Sequence, residues 1–168
     1  MVRECAASLL LLPAGCSYLL DFSDQAIPKA APADAPYTQA ACDETEPNDG
    51  AATAAVIAPQ ATVLAAICAA AAEDHDFYRF AVPATTHVEI RLHYSYRRTG
   101  DLDLRLLDRT GTKVVAESRG FGDEELITCP GTVPACAALA ADDYLVEVFP
   151  AETGDVNAYT LALAITAM

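Results

Sequence analysis

Positive charge is scarce in this sequence. Its 168 residues carry 10 Lys and Arg against 24 Asp and Glu, a formal charge of −14. A surface so negative repels phosphate backbones and anionic lipid, which argues against nucleic acid as a partner. No apolar run reaches eighteen residues, so no spanning helix is expected. The common catalytic signatures are missing as well: there is no G-x-S-x-G, no H-E-x-x-H and no Gly-rich phosphate loop. No C-x-x-C occurs and no His lies beside a cysteine pair, which sets zinc aside. No repeat recurs at solenoid spacing.

What is present begins with a targeting pattern. Arg3, the apolar stretch "AASLLLLPAG" and then Cys16 read as an export segment over residues 1–15. "LPAGC" resembles a bacterial lipoprotein signal, with Pro13 where a Leu is usual, and the resemblance implies a lipid on Cys16. An ordinary secretory signal cut elsewhere is the alternative. Residues 16–41 contain Pro28, Pro32 and Pro36 among many small residues and read as a tether that holds a domain off the membrane. The expected location is therefore the cell envelope, by lipid anchor alone. Ser17 carries no acidic retention signal, which favours the outer membrane where one exists.

Export changes the cysteine arithmetic. With Cys5 in the signal and Cys16 lipidated, Cys42, Cys68, Cys129 and Cys136 remain, and an oxidising compartment suggests two disulfides. Three connectivities are possible. Cys42–Cys68 with Cys129–Cys136 is favoured, because Pro130-Gly131 in "CPGTVPAC" supplies a turn between the second pair.

From about residue 54 the pattern is one of short strands. "DFYRFAV" puts Tyr78, Phe80 and Val82 on one face. "HVEIRLHY" sends Val88, Ile90, Leu92 and Tyr94 inward, with His87, Glu89, Arg91 and His93 outward. "DLDLRLL" sends Leu102, Leu104 and Leu106 inward and Asp101, Asp103 and Arg105 outward. "KVVAES", "EELITC", "YLVEVF" and "YTLALAI" follow, with turn residues between. This predicts an all-β, antiparallel sandwich over residues 42–168. "AATAAVIA" is the one stretch that could form a short helix.

Four segments in order, "ETEPNDGAATAAVI", "DHDFYRFAV", "GDLDLRLLDRTGTKVV" and "DDYLVEVFPAETGDVNAYTLALAI", resemble the bacterial pre-peptidase C-terminal domain family. The resemblance covers residues 42 to 166 and implies a jelly-roll-like sandwich, commonly appended to secreted proteases as a non-catalytic module. Some members bind insoluble polymers such as collagen, and some hold calcium at an E-x-E-x-N-D stretch. The departure here is that no catalytic domain is expected ahead of the module, only signal and tether.

The stretch "ETEPNDG" has its own physical logic. Glu44, Glu46, Asn48 and Asp49 crowd oxygen donors into six residues, which repel unless a cation sits among them. Calcium takes six to eight oxygens at about 2.3–2.6 Å, so its ligands lie within roughly 5 Å of each other. Asp74 and Asp76, with Glu73 as an alternative, form a second acidic group in "EDHDFY". The family's calcium-holding members use the E-x-E-x-N-D side chains and an Asp before the aromatic strand, here Asp76, while the other acid could align with Asp74 or Glu73. The competing reading is that Asn48 or Asp49 caps a short helix starting near Ala51. Magnesium fits such a flexible carboxylate cage poorly.

The expected function is a calcium-stabilised, non-enzymatic module that contacts an extracellular polymer or protein. Tyr96, Arg97 and Arg98 of "YSYRR" are the contact candidates, since aromatic and Arg residues anchor interfaces. The alternatives are a purely structural envelope component and a regulator in trans of an exported protease.

Overall fold

The computed structural model describes residues 46–68, 74–84, 86–96 and 100–168. The expected signal, Cys16, the tether, Cys42, Glu44, Glu73, Arg97 and Arg98 lie outside the described residues. All eleven regular elements within them are strands. They are β1 (Ala55–Val56), β2 (Thr62–Ile67), β3 (Asp76–Val82), β4 (Thr86–Tyr94), β5 (Leu102–Asp108), β6 (Val114–Ser118), β7 (Glu124–Cys129), β8 (Gly131–Thr132), β9 (Ala135–Cys136), β10 (Asp142–Pro150) and β11 (Asn157–Ala167).

One sheet runs β1-β3-β10-β5-β6 and the other β2-β11-β4-β7, with β8 and β9 a separate small hairpin. Without β1 and that hairpin, eight strands remain. Counted in chain order they lie 2-7-4-5 in one sheet and 1-8-3-6 in the other, which is the strand order of a jelly roll. Every pairing is antiparallel except β1 with β3.

Alternation explains the layers. On β4 Val88, Ile90, Leu92 and Tyr94 are fully buried, and they face Tyr78, Phe80, Leu104, Leu106, Val146 and Val148 of the other sheet in one cluster. Each such side chain contributes about 1.5–3 kcal/mol by leaving water. The outer face of the five-stranded sheet is also covered. Arg105 bridges Glu117 at 2.7 Å and Glu147 at 2.8 Å, and its guanidinium lies 4.4 Å above the Phe149 ring. His75 completes this layer, with Nδ1 2.8 Å from Glu147 and its ring stacked on Phe149.

Two expectations need correction. "AATAAVIA" is not a helix: the Thr53 amide and hydroxyl both donate to the Gly50 carbonyl, closing a turn, and Ala55–Val56 then pairs with Tyr78 and Arg79. Asp101 and Asp103, though on the polar parity of β5, are buried, because loops 119–122 and 151–155 roof the outer face there. The Ala-rich β2 is a full strand paired with β11, although alanine is a weak strand former and its alternation is faint.

Cys129 and Cys136 form a disulfide, seven residues apart, across the β8–β9 hairpin. Gly131 permits that turn: a Cβ there would stand 2.2 Å from the Thr128 carbonyl oxygen. Cys68 is also disulfide-bonded.

Candidate metal centre

Residues 46–50 enter the sandwich as a bent segment against the start of β3. The Asn48 carbonyl accepts from Gly50 N at 2.8 Å and from Phe77 N at 3.0 Å, which ties the segment to the strand. Arg79 reinforces this by donating to the Ala51 carbonyl at 3.0 Å. The Asn48 amide donates to Glu46 Oε2 at 3.0 Å, curling the glutamate over its own backbone.

This tie brings two distant acidic groups together. One carboxylate oxygen each from Glu46, Asp74 and Asp76 lies within 4.8 Å of the other two, the span calcium ligands require. Asn48 and Asp76 are wholly buried, Asp74 nearly so, and Glu46 faces solvent. Asp49 is exposed and outside the three-carboxylate group. No helix begins at Ala51 for Asn48 or Asp49 to cap.

The buried atoms are only partly satisfied. Asp74 Oδ2 accepts from Cys68 N at 2.6 Å, and Asp76 Oδ2 accepts from the Tyr159 hydroxyl, which sits 2.7 Å from the Tyr78 hydroxyl. Asp74 Oδ1, Asp76 Oδ1 and both side-chain polar atoms of Asn48 have no hydrogen-bond partner. Buried polar groups are almost always paired, since each orphan costs about 1–3 kcal/mol and a charged one more. Four orphans at one spot, three of them oxygens, fit cation ligands better than accident. The donor set is all oxygen and partly anionic, which suits a hard divalent ion.

The electrostatics agree. Burial pushes the Asp74 carboxyl up to about 6; the Cys68 amide opposes this and the Glu46 and Asp49 charges add to it. Burial likewise pushes Asp76 up to about 7, against the Tyr159 hydrogen bond and with the help of Asp74 and Glu46. The unfolded carboxyls titrate near 3.8. Between about pH 4 and pH 7 the folded chain holds protons that the unfolded chain has released. Metal-free stability therefore falls as pH rises through that window, by at most about 1.4 kcal/mol per pH unit per group. Asp103, raised to about 6 mainly by burial, adds in the same direction, while Glu117 and Glu147, lowered by their Arg and His partners, oppose it. Melts in chelator should give a lower midpoint at pH 8 than at pH 5; a higher one would count against buried, uncompensated acids.

Tyr159 and Tyr78 belong to this site through their hydroxyls, though strand alternation alone marks Tyr78 only as a core residue. The signal was available: Asp76 has the same parity as Tyr78, Phe80 and Val82, so an acid points inward at the head of a core strand. Of the contact candidates, Tyr96 is exposed; Tyr94, expected inward, is wholly buried with its hydroxyl on Asp101.

No family model matches the chain, and no curated protein matches it. Among solved structures, the chain is similar to the pre-peptidase C-terminal domain of collagenase from Bacillus anthracis, at a TM-score of 0.50 and 16% identity, covering 67% of this chain and 94% of that one. A looser likeness, at a TM-score of 0.47 and 12% identity, is to PliG of Aeromonas hydrophila, a periplasmic inhibitor of g-type lysozyme, covering 67% of this chain and 96% of that one. What the chain shares with the collagenase domain is its fold.

Proposed function

We propose that the chain is an exported, non-catalytic binding module whose sandwich is held in shape by one calcium ion. Glu46, Asn48, Asp74 and Asp76 would hold the ion, with Glu44 and Asp49 as further donors from the same segment. The observation that carries this reading is the group of buried oxygens without partners on Asn48, Asp74 and Asp76. Bound calcium would neutralise the carboxylates and pin residues 46–49 to β3, a structural rather than a chemical service. Sharing a fold with a domain of a collagenase supports a module that contacts an extracellular polymer or protein. The lipid on Cys16 and the 16–41 tether would then present it at the envelope surface, and Cys42–Cys68 would link the entering segment to β2.

Pull-down of the full chain with fibrillar collagen, peptidoglycan and envelope extracts tests the module. The expected result is a saturable interaction, weakened at least several-fold in chelator. Saturation with none of these would favour the purely structural role instead.

A further inference from the structure

A second site lies away from the acidic cluster. A cavity of about 550 Å³ opens at the end of the five-stranded sheet beside β6, lined by Asp101, Asp103, Arg119, Phe121, Glu152 and Tyr96 among others. That volume falls in the range of ligand pockets. Its floor is acidic. Asp103 is 3% exposed, and its ion pair with Arg119 is longer than a close hydrogen bond. Among the described residues its cation partner is Arg119, which stands 3.6 Å away, is half exposed, and spends its other terminal nitrogen on Glu117 at 2.8 Å. Asp101 accepts from the Tyr94 hydroxyl at 2.5 Å through one oxygen, and no described residue donates to the other.

A buried carboxylate beside a cavity, held among the described residues only by one long ion pair to a half-exposed arginine, can take a second, charge-assisted partner. The walls suit an organic cation. Phe121 is 90% exposed and Tyr96 is also exposed, two aromatic faces at the mouth of a negative pocket. Such faces attract guanidinium and ammonium groups. The chain's charge of −14 draws basic partners to it generally. A ring as open as Phe121 offers area for a flanking peptide backbone, which a free small amine lacks.

We propose that this cavity receives the arginine or lysine side chain of a partner protein, with Asp103 and Asp101 pairing the cation and Phe121 and Tyr96 flanking it. The proposal rests on the reading of the chain as a partner-binding module, deepens it by naming the contact chemistry, and does not need the calcium ion. The pull-down above tests that reading separately.

The test is a nuclear magnetic resonance titration of the full chain at fixed, saturating calcium with the peptide acetyl-Gly-Arg-Gly-amide. Acetyl-Gly-norleucine-Gly-amide and agmatine are the comparison arms. The expected result is saturable shift changes confined to Tyr96, Gly100, Gly120 and Phe121, with the norleucine peptide silent. Asp103→Asn should weaken the arginine peptide by roughly ten-fold, as for a lost charge-assisted bond, and Phe121→Ala by roughly two- to five-fold. Both variants should fold, since one removes a desolvated charge and the other a solvent-exposed ring. Equal response to the norleucine peptide, unchanged binding by Asp103→Asn, or shifts spread over the surface would overturn the pocket. Binding of agmatine without binding of the peptide would overturn the protein partner.

Discussion

Asp76→Asn should raise the unfolding midpoint of the chelated protein while abolishing its response to calcium. These opposite signs follow from one cause. Asp76 is wholly buried and its carboxyl is pushed up to about 7, mainly by burial, so at pH 8 its charge destabilises the metal-free fold. Asparagine has nearly the same shape and keeps an oxygen for the Tyr159 hydroxyl, so the hydrogen bond survives without the charge. The wild-type chain should gain about 2.7 kcal/mol at a calcium concentration a hundred times its Kd. For a domain of this size that is a rise of roughly 10 °C. The variant should gain almost nothing. Calorimetric melts at pH 8, with chelator and with calcium, give all four midpoints. A chelated variant less stable than wild type, or one that still responds to calcium, would contradict the site.

The second large effect concerns the sandwich. Leu161 lies wholly buried at the centre of β11, paired with Val63 on one side and Leu92 on the other. Leu161→Ala should cost about 3–4 kcal/mol, through lost burial plus an unfilled cavity between the sheets. Leu64 on the neighbouring strand points the other way and is exposed, so Leu64→Ala should cost less than about 1 kcal/mol. Urea unfolding at saturating calcium would show a lower midpoint with an unchanged slope for the first variant and little change for the second. Equal costs would mean that the two faces of this sheet have been exchanged.

Much of this architecture could be read from alternation alone. β4 and β11 each bury one parity and leave the other only half-buried along most of their length, and their turns carry glycines, so both strands and faces were legible. Reading failed where composition blurred the period. β2 is rich in alanine, and its role as the partner of β11 depends on a pairing nearly a hundred residues away. It failed again where a second layer of chain changed the meaning of a face. Asp101 and Asp103 occupy a polar parity, yet loops distant in sequence bury them, and a strand pattern carries no information about its roof.

The acidic site was half legible. Glu46, Asn48, Asp74 and Asp76 could be named from donor chemistry and from the family resemblance. The bend that brings Glu46 within reach of Asp74 and Asp76 depends on the Asn48 carbonyl meeting the Phe77 amide, a long-range contact. The tyrosine pair behind Asp76 follows from strand register: β3 and β11 lie in opposite sheets, and their hydroxyls meet across the core.

The most direct measurement is calorimetric titration of calcium into the chelator-stripped full chain, alongside Asp76→Asn and Asn48→Ala. The expected result is one saturable ion per wild-type chain, in the micromolar to millimolar range of known oxygen-cage sites, with none for Asp76→Asn and a large loss for Asn48→Ala. A wild-type chain that takes up no calcium at about 10 mM, well above the range of extracellular calcium modules, would show that those buried oxygens do not serve an ion.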